Sequence, residues 1–254
     1  MELFAGFGGL TQAIKDVGGR VVEPQDTMYG QDLGTDEGFI AALEEPADWK
    51  HMAPPCRTFT KARRKDHHGH AKRLRTATHP EGRGDAETTE ANLLADRCAS
   101  IAEDQDEKGL FFSIENPLES FIWELKSMKR IAQRKGVMLT RLDQCAYGGP
   151  HHKPTGLLHN APWLKKGKRC SEAPAHKHTK LEGRVWSYKQ DQEVWFTSEA
   201  AEYPSGLCER WAADRQEWSK QRPESREKKD RFVKMGKYQN KLVREELMTD
   251  KDHS

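Results

Sequence analysis

The sequence has no long apolar run and no disulfide pattern, and each of these two absences excludes a class of protein. None of its 254 residues lie in a run approaching the roughly 20 apolar residues that a membrane-spanning helix needs, and the N-terminus lacks the pattern of a signal peptide. The five cysteines are an odd number and are scattered, so they predict no disulfide framework. They fit a reducing compartment. We therefore expect an intracellular protein, of nucleus or cytoplasm, with no membrane partner.

Positive charge is concentrated in one stretch, although the formal net charge of the chain is only +2. Residues 61–88 are polar and rich in Gly and His, which predicts a long loop of the kind that is usually functional or disordered. The basic stripe within it fits either phosphate contact or a solvated surface. Its members are Lys61, Arg63, Arg64, Lys65, Lys72, Arg73 and Arg75, interleaved with His67, His68 and His70.

The periodicity of apolar residues predicts an α/β fold. Leu10 to Val17 has helical spacing, and Leu110 to Ile114 is the continuous apolar run expected of a buried parallel strand. Alternating strands and helices up to about residue 160 indicate a doubly wound, mostly parallel sheet. We predict strands at residues 1–4, 21–22, 110–114 and 137–142, a short strand before residue 53, and helices at residues 10–17, 39–43, 90–102 and 120–133.

Composition divides the chain into three predicted regions. Residues 1–158 form a catalytic domain, residues 159–200 a small irregular insertion rich in Lys, His and Trp, and residues 201–254 a charged helical C-terminal tail. A doubly wound sheet normally has about five or six residues in its opening strand, whereas this chain begins almost at the strand's end. We interpret the first strand as truncated.

A glycine-rich turn joins the first strand to the first helix, and its residues are Phe4, Ala5, Gly6, Phe7, Gly8, Gly9 and Leu10. Glycines there let the backbone turn sharply and approach a nucleotide-like ligand, although a structural turn alone explains them equally well. An acidic residue about 20 positions later typically binds ribose hydroxyls. Asp26 lies at that distance, with Glu23 as the alternative, and Asp32 and Leu33 are placed to receive an adenine amine. Together they predict a nucleoside-type cofactor.

Cys56 follows Pro54 and Pro55 at the end of a predicted strand. The prolines stiffen the loop and present the thiol at the carboxyl edge of the sheet, where ligands bind. A free thiol has a pKa of about 8.5 and needs a basic environment to attack, which Arg57 and its basic neighbours provide. A buried structural cysteine is the alternative. We favour a nucleophile because of the prolines and the exposed position.

Glu115 stands at the end of the buried strand, in the segment Ser113–Ile114–Glu115–Asn116–Pro117. A carboxyl in that position can be desolvated, which raises its pKa and makes it a proton donor. A strand-end residue that bonds backbone is an equally common outcome. The residue is a candidate general acid.

The order of these segments resembles the cytosine-5 DNA methyltransferase family over roughly residues 1–160. The family's cofactor motif is similar to residues 4–10, its Pro-Cys loop to residues 53–56, and its Glu-Asn motif to Glu115–Asn116. A further motif, on a helix that lines the cofactor pocket, is similar to Asn92–Leu93–Leu94. The pattern is similar to that of divergent members associated with viruses and mobile elements.

The resemblance implies a Rossmann-like S-adenosylmethionine-dependent methyltransferase that acts on DNA, and we expect it to be a monomer. Cys56 would add to carbon 6 of cytosine, Glu115 would protonate or hydrogen-bond ring nitrogen 3, and carbon 5 would take the methyl group. The target base must be flipped out or single-stranded. The cofactor residues that the resemblance implies are Phe4, Ala5, Gly6, Phe7, Gly8, Gly9, Leu10, Asp26, Asp32, Leu33, Pro54 and Asn92.

Three segments depart from the family's pattern. The family's Glu-Asn-Val is Glu-Asn-Pro here. Its Gly-x-Pro-Gln-x-Arg-x-Arg segment resembles residues 148–155, with Lys153 in the first arginine position and Thr155 in the second. Lysine keeps the charge but not the planar fork, so Lys153 is the third catalytic candidate. The family's last motif has no clear match, and Tyr203–Cys208 is its candidate substitute.

Two other functions stay open at this point. An RNA cytosine-5 methyltransferase would share the chemistry, and the small recognition region at residues 159–200 does not exclude it. A catalytically inactive nucleic-acid-binding relic would explain the short first strand and the missing last motif.

A fourth group of residues predicts a structural metal site for zinc. Cys170, His176 and His178 lie close together in the irregular region, and Cys145 precedes it at a strand end. A metal there would supply folding free energy that the few apolar residues do not. Their spacing matches no standard zinc finger, and exposed polar histidines are the alternative.

Overall fold

The computed structural model describes residues 1–60, 74–180, 183–187, 191–195 and 201–221. In these ranges the strands are β1 (Glu2–Leu3), β2 (Trp49–Met52), β3 (Phe111–Pro117), β4 (Met138–Asp143), β5 (Pro154–His159), β6 (Arg184–Ser187) and β7 (Gln192–Trp195). The α-helices are α1 (Gly9–Asp16), α2 (Asp36–Glu44), α3 (Ala86–Glu107), α4 (Lys126–Ala132) and α5 (Ser205–Lys220). Across the described ranges, no helix has both the length and the apolarity that crossing a membrane requires.

Five strands form one mixed sheet in the order β1-β2-β3-β5-β4. β1, β2 and β3 are parallel, with Glu2 opposite His51 and His51 opposite Ser113, whereas β5 runs antiparallel to both of its neighbours. The predicted α/β class is therefore confirmed, and the sheet, predicted to be mostly parallel, is mixed. β6 and β7 pair separately as a two-stranded antiparallel hairpin.

Helices cover both faces of the sheet, because successive side chains of a strand point to opposite faces. Phe112 and Ile114 of β3 pack with α2, α3 and α4, while Phe111 packs on the other side with α1 and α5. Burial on both faces explains why β3 has a continuous apolar run in the sequence.

α1 begins at the glycine turn and buries one apolar stripe. Leu10, Ala13 and Ile14 face the sheet and α5. The Glu2 carboxylate accepts hydrogen bonds from the backbone N–H and the hydroxyl of Thr11, both at 2.8 Å. These bonds satisfy a donor in the first helical turn and fix the direction in which the helix leaves the sheet.

Two predicted elements are wrong in detail. Residues 21–22 do not form a second strand; the following segment makes a single parallel bridge, between Leu3 and Gln25, and Pro24 cannot donate to a ladder. The predicted helix at residues 120–133 is divided into a 3-10 turn, Phe121–Glu124, and α4, because Leu125 between them is extended. That geometry lets Leu125 reach the core, where it is 3% exposed.

The face of the sheet opposite α3 is completed by late segments of the chain. Trp163 and Leu164, from the region predicted to be irregular, are buried against Leu207 and Trp211 of α5. α5 thus packs on α1 and the sheet, although the sequence assigns it to a charged tail. Residues 222–254 of that tail lie outside the described residues.

Candidate active site and metal centre

Three strand ends meet at the carboxyl edge of the sheet and bring the predicted catalytic segments together. β1 leads into the glycine turn, β2 leads into the loop of Cys56, and β3 carries Glu115 and Asn116 near its end. The backbone N–H of residue 53 donates to the Leu3 carbonyl at 3.2 Å, and Asn116 Nδ2 donates to the Pro54 carbonyl at 2.9 Å. The edge is where open α/β sheets bind ligands.

Cys56 is half-buried and begins a tight turn. Its carbonyl accepts hydrogen bonds from the N–H groups of Phe59, at 2.9 Å, and Thr60, at 3.0 Å. Phe59 is fully buried, so the turn is anchored in the core. Burial and the negative charge of Glu115 raise the pKa of the Cys56 thiol, whereas the charge of Lys153 lowers it.

Glu115 is a buried acid, 6% exposed. Burial raises the pKa of its carboxyl, while the charge of Lys153 and a hydrogen bond from Tyr203 lower it. Its Oε1 atom is buried and has no hydrogen-bond partner among the described residues. A buried polar atom without a partner is costly unless a ligand supplies one. The residue is therefore suited to bind a polar substrate atom and to give it a proton.

The charge of Lys153 acts on both the Cys56 thiol and the Glu115 carboxyl. Its carbonyl accepts hydrogen bonds from the Gln144 N–H, at 3.1 Å, and the Thr155 hydroxyl, at 3.2 Å, and its ammonium lowers the pKa of both Cys56 and Glu115. Protonation of Glu115 removes the charge that opposes the thiolate, so a neutral Glu115 and a Cys56 thiolate favour each other. Thr155 is fully buried and supports the strand.

A chain of buried hydrogen bonds, absent from the sequence predictions, lies behind Glu115. Trp49 Nε1 donates to Ser113 Oγ at 2.8 Å, and that oxygen lies 2.8 Å from His51 Nδ1. His51 Nε2 lies 2.9 Å from the hydroxyl of Tyr203, and Tyr203 is close enough to Glu115 to lower the pKa of its carboxyl. We call these five residues the polar chain. Burial is the larger of two causes that lower the pKa of His51 to about 3, and the charge of the nearby N-terminus is the smaller. The His51 ring is therefore neutral.

Part of the polar chain has a sequence signal. His51 in β2, and Ser113 and Glu115 in β3, occupy alternate positions that face one side of a sheet buried on both faces. Polar residues there require buried partners, so the alternation predicts a network. The link from His51 to Tyr203 spans 152 residues and has no local signal.

Arg75 is buried rather than part of an exposed basic stripe. It is 2% exposed, and its guanidinium carbon lies 3.8 Å from the centroid of the Phe59 ring. Its donors reach Thr58 Oγ1 at 2.9 Å, the Pro80 carbonyl at 2.6 Å, the Thr88 carbonyl at 3.1 Å and Asn92 Oδ1 at 2.6 Å. The expectation of a phosphate contact is therefore wrong for Arg75, which instead braces the turn after Cys56. The other basic residues of the stripe, at 61–73, lie outside the described residues.

The glycine turn is built from left-handed backbone. Phe4 has φ 57°, Gly6 φ 51° and Gly8 φ 67°, and this conformation is strained for a phenylalanine. Asp26 Oδ2 accepts from the Gly6 N–H at 3.0 Å, and the Tyr29 hydroxyl donates to the Gly6 carbonyl at 2.8 Å. A Cβ at Gly6 would meet no atom within 4 Å, so its backbone faces space that a ligand can enter.

A cavity of about 350 Å³ lies beside this turn, at the small end of the roughly 300–1,000 Å³ of small-molecule sites. Its lining residues are Phe7, Gly8, Thr11, Gln12, Lys15, Glu23, Pro24, Tyr29 and Gln31. An aromatic ring, a carboxylate and open glycine backbone are the groups that a nucleoside needs. Glu23 lines the cavity, whereas the Asp26 carboxylate is bonded to the backbone of the turn.

The remaining predicted cofactor residues have contacts within the protein. Asp32 Oδ1 accepts a backbone N–H two residues later, at 2.7 Å, and Leu33 is a core residue, 2% exposed. Asn92 accepts from Arg75 and donates to a loop carbonyl at 2.8 Å. Pro54 is buried and accepts from the β3 asparagine. None of these four lines the cavity beside the glycine turn.

Cys145, Cys170, His176 and His178 form a second cluster, with ligand atoms that all lie within 4.8 Å of one another. Cys170 Sγ lies 3.8 Å from His176 Nε2 and 3.5 Å from His178 Nε2, and the two Nε2 atoms are 3.0 Å apart. A tetrahedral ion with bonds of about 2.3 Å to sulfur and about 2.0 Å to nitrogen requires about 3.5 Å between a sulfur and a nitrogen ligand and about 3.3 Å between two nitrogen ligands. The four residues can therefore hold a metal ion. We call them the metal cluster.

Hydrogen bonds orient the ligands of the metal cluster. His176 Nδ1 donates to the Pro174 carbonyl at 2.7 Å, which leaves the lone pair of Nε2 on the side of the cluster. The backbone N–H of Cys170 donates to Asp143 Oδ2, at the end of β4, at 2.9 Å. Burial, with the neighbouring Cys170 thiol, raises the pKa of Cys145 to about 11. Its thiolate therefore needs a cation.

One short segment connects the two sites. Cys145 lies at its start and Lys153 at its end, and the His152 ring packs 5.1 Å from the His178 ring. His151 Nδ1 donates to the carbonyl of residue 179 at 2.9 Å. The metal cluster therefore borders the loop that carries Lys153.

The structure thus brings Cys56, Glu115 and Lys153 into one electrostatic environment and the four metal-cluster residues into another. No protein-family model matches the chain, and no curated protein matches it. Function must therefore be inferred from the geometry and chemistry of these sites.

Proposed function

We propose that this protein transfers a methyl group from S-adenosylmethionine to carbon 5 of cytosine in DNA, through a covalent adduct with Cys56. The observation that carries the proposal is the environment of Glu115, a buried acid with an unpartnered oxygen that shares its surroundings with a thiol and an ammonium. This reaction requires a nucleophile for carbon 6, a proton donor for nitrogen 3 and a charge that favours the thiolate.

The chemistry of these residues accounts for each bond that forms or breaks in the proposed reaction. The Cys56 thiolate forms a C–S bond to carbon 6, and the electrons of the 5,6 double bond move into the ring as Glu115 gives its proton to nitrogen 3. Carbon 5 becomes nucleophilic and takes the methyl group. The proton of carbon 5 is then lost to a base, the C–S bond breaks, Cys56 leaves as a thiolate and nitrogen 3 returns its proton to Glu115. Lys153 favours the thiolate at the start and at the end.

The residues beside the glycine turn fit S-adenosylmethionine. The open backbone at Gly6, the ring of Tyr29 and the carboxylate of Glu23 are suited to the sugar and base of a nucleoside. The turn leaves the sheet from β1, directly beside β2 and the loop of Cys56, as a methyl donor near the nucleophile requires. When bound, S-adenosylmethionine supplies the methyl group from its sulfonium.

The location of the site supports a flipped or single-stranded base as the substrate. Glu115 is buried and Cys56 half-buried, and a base stacked inside a duplex cannot reach such groups. The basic stretch at residues 61–73 follows Cys56 in the sequence and is suited to a polyanion.

We further propose that the metal cluster binds zinc as a structural ion. Two sulfur and two imidazole donors favour zinc over the oxygen-preferring Mg²⁺ and Ca²⁺. Four protein ligands fill a tetrahedral shell and leave no open position for catalysis.

Transfer of a labelled methyl group tests the proposed function. The purified protein is incubated with labelled S-adenosylmethionine and duplex DNA, single-stranded DNA or RNA, and the product base is identified after digestion. We expect 5-methylcytosine in DNA. Transfer to RNA alone would mean that the substrate is RNA and not DNA. If the protein binds the cofactor but transfers no methyl group to any of the three polymers, the alternative of an inactive nucleic-acid-binding protein is favoured.

A further inference from the structure

A strongly positive segment, residues 165–180, holds three of the four metal-cluster residues. It has six basic residues and one acid, Glu172, which gives it a formal charge of +5, whereas the whole chain has +2. The rest of the chain is therefore net negative, and the positive charge of this segment is a local property. We call residues 165–180 the lysine segment. Its basic residues are Lys165, Lys166, Lys168, Arg169, Lys177 and Lys180.

The positive charges of the lysine segment face solvent. All five of its lysines are exposed, and none of them forms an ion pair with a described residue. Glu172 accepts a hydrogen bond from the backbone N–H of Arg169. Asp143, an acid that borders the segment, is 2% exposed and accepts from the Cys170 N–H. A zinc ion with two thiolate and two imidazole ligands has no net charge, so the metal-bound form keeps the positive charge of the segment.

The backbone of the lysine segment is held against the end of β4 and the loop that follows it. The Asp143 N–H donates to the Lys168 carbonyl at 2.9 Å, and the Lys168 N–H donates to the Tyr147 hydroxyl at 2.8 Å. Near the end of the segment, the Thr179 N–H donates to the Pro150 carbonyl at 2.8 Å. The fold thus orders this backbone in advance, and a partner that binds the lysines does not have to order it.

The sheet places the lysine segment on the same edge as Cys56. β4 ends at Asp143, opposite the start of β5, and the start of β5 pairs with Pro117 at the end of β3. β3 ends at the carboxyl edge, beside the loop of Cys56. Three strand spacings separate β2 from β4, which is about 14 Å. Duplex DNA carries one phosphate charge about every 1.7 Å of its axis, so roughly eight phosphates lie within that distance.

We propose that the lysine segment binds the phosphate backbone of the DNA whose target base enters the site of Cys56. The proposal rests on the proposed function for the choice of DNA, whereas the charge and the ordered backbone of the segment do not depend on it. An ammonium binds a phosphate as a point charge and reads no base edge. The lysine segment therefore supplies affinity and orientation on the DNA but no preference for a sequence.

The salt dependence of DNA binding tests this surface. Each phosphate that a lysine neutralises contributes about 0.9 to the slope of log affinity against log salt concentration on duplex DNA. The slope is measured by fluorescence anisotropy with a labelled duplex. We expect Lys165→Gln/Lys166→Gln and Lys177→Gln/Lys180→Gln each to lower the magnitude of the slope by about 2, and the four substitutions together to lower it by about 4.

The matched control is Lys126→Gln/Lys135→Gln, which removes two exposed lysines, one from α4 and one from the turn before β4. These lie before the start of β4, whereas Asp143 is at its end, and the slope of the control should equal that of the wild type. All six substitutions change exposed side chains, so each variant should keep its fold, which urea denaturation checks.

Three results would overturn the proposal. They are a slope that the lysine-segment variants leave unchanged, an equal fall of the slope in the control, and a wild type that binds RNA but not DNA. Binding is measured without methyl transfer, so the two proposals fail separately. A reduced slope in a protein that transfers no methyl group supports the surface alone. An unchanged slope in a protein that methylates DNA refutes the surface and leaves the proposed function in place.

Discussion

The candidate active site and the metal cluster each contain a cysteine whose thiol pKa the fold raises, and they differ in what would favour its thiolate. Burial is the largest cause of the raised thiol pKa of both Cys56 and Cys145. At Cys56 the thiolate is favoured by Lys153 and opposed by Glu115, so its reactivity depends on the protonation of a neighbouring acid. At Cys145 the neighbours are further ligands for a cation. In the proposed function, a substrate completes the first site and a metal ion completes the second.

The two sites also differ in which of their polar atoms lack a hydrogen-bond partner. Glu115 Oε1 is buried without a partner, as suits a group that awaits a ligand atom. In the metal cluster, His176 and Cys170 are instead held from behind by the Pro174 carbonyl and by Asp143, so that their free atoms converge. An unpartnered acid suits a group that acts on a substrate, whereas converging ligands that are held from behind suit a structural ion.

The largest expected effect is the loss of catalysis in Cys56→Ser. Serine cannot replace the thiolate in the addition to carbon 6, so we expect kcat for methyl transfer to fall about a thousandfold or more. The matched control is Cys98→Ala, which removes a fully buried thiol from the core. The labelled-methyl assay measures both, and substantial activity in folded Cys56→Ser would contradict the assignment.

Removal of the metal ion from the metal cluster is expected to lower the free energy of unfolding of the protein. Mass spectrometry of the native protein should find one zinc ion per chain, and Cys170→Ser should lose it. If the free ion is at a thousandfold its Kd, chelation should lower the free energy of unfolding by about 4 kcal/mol. His79→Ala, which removes a histidine outside the metal cluster, is the control that should keep the ion. An ion-free protein that is equally stable would refute the structural metal.

The variant Arg75→Lys distinguishes two roles of Arg75, which are support of the turn after Cys56 and contact with DNA. Lysine cannot make the several bonds of the buried guanidinium, so we expect a loss of about 1–3 kcal/mol in the free energy of unfolding, measured by urea denaturation. Affinity of the folded protein for DNA should hardly change. Weaker DNA binding without a loss of stability would instead restore Arg75 to the basic stripe.

Glu115→Gln should change how stability depends on pH. In the unfolded chain the carboxyl ionises near its ordinary pKa of about 4.3, whereas the folded protein keeps the proton to higher pH because burial raises the pKa. The folded state binds more protons between these values, so this contribution is complete below the unfolded pKa and is lost as pH rises through the folded pKa. Relative to Glu115→Gln, the wild type should therefore lose stability as the pH rises above the unfolded pKa of about 4.3 and through the raised pKa of the folded protein. If the free energies of unfolding of the wild type and the variant, measured in urea, differ by the same amount at every pH, then Glu115 is already ionised in the folded protein.

Sequence reasoning was most informative where strand ends fix positions. Cys56 and Glu115 each stand at the end of a predicted strand and are paired through the family resemblance, and the structure places them in one electrostatic environment. The contact of Tyr203 with His51 has no such signal, because the two residues lie 152 positions apart in the sequence. Arg75 was misread because a run of charges does not reveal which of its members folds inward.

Trapping of a covalent adduct on 5-fluorocytosine tests the central claim most directly. Fluorine on carbon 5 cannot leave as a proton does, so the C–S bond to carbon 6 should persist after methyl transfer. With DNA containing this base and S-adenosylmethionine, we expect a stable protein–DNA adduct whose peptide mass maps to Cys56 and which is absent from Cys56→Ser. An adduct at another residue, or methylation of cytosine with no adduct on the fluorinated base, would contradict the account.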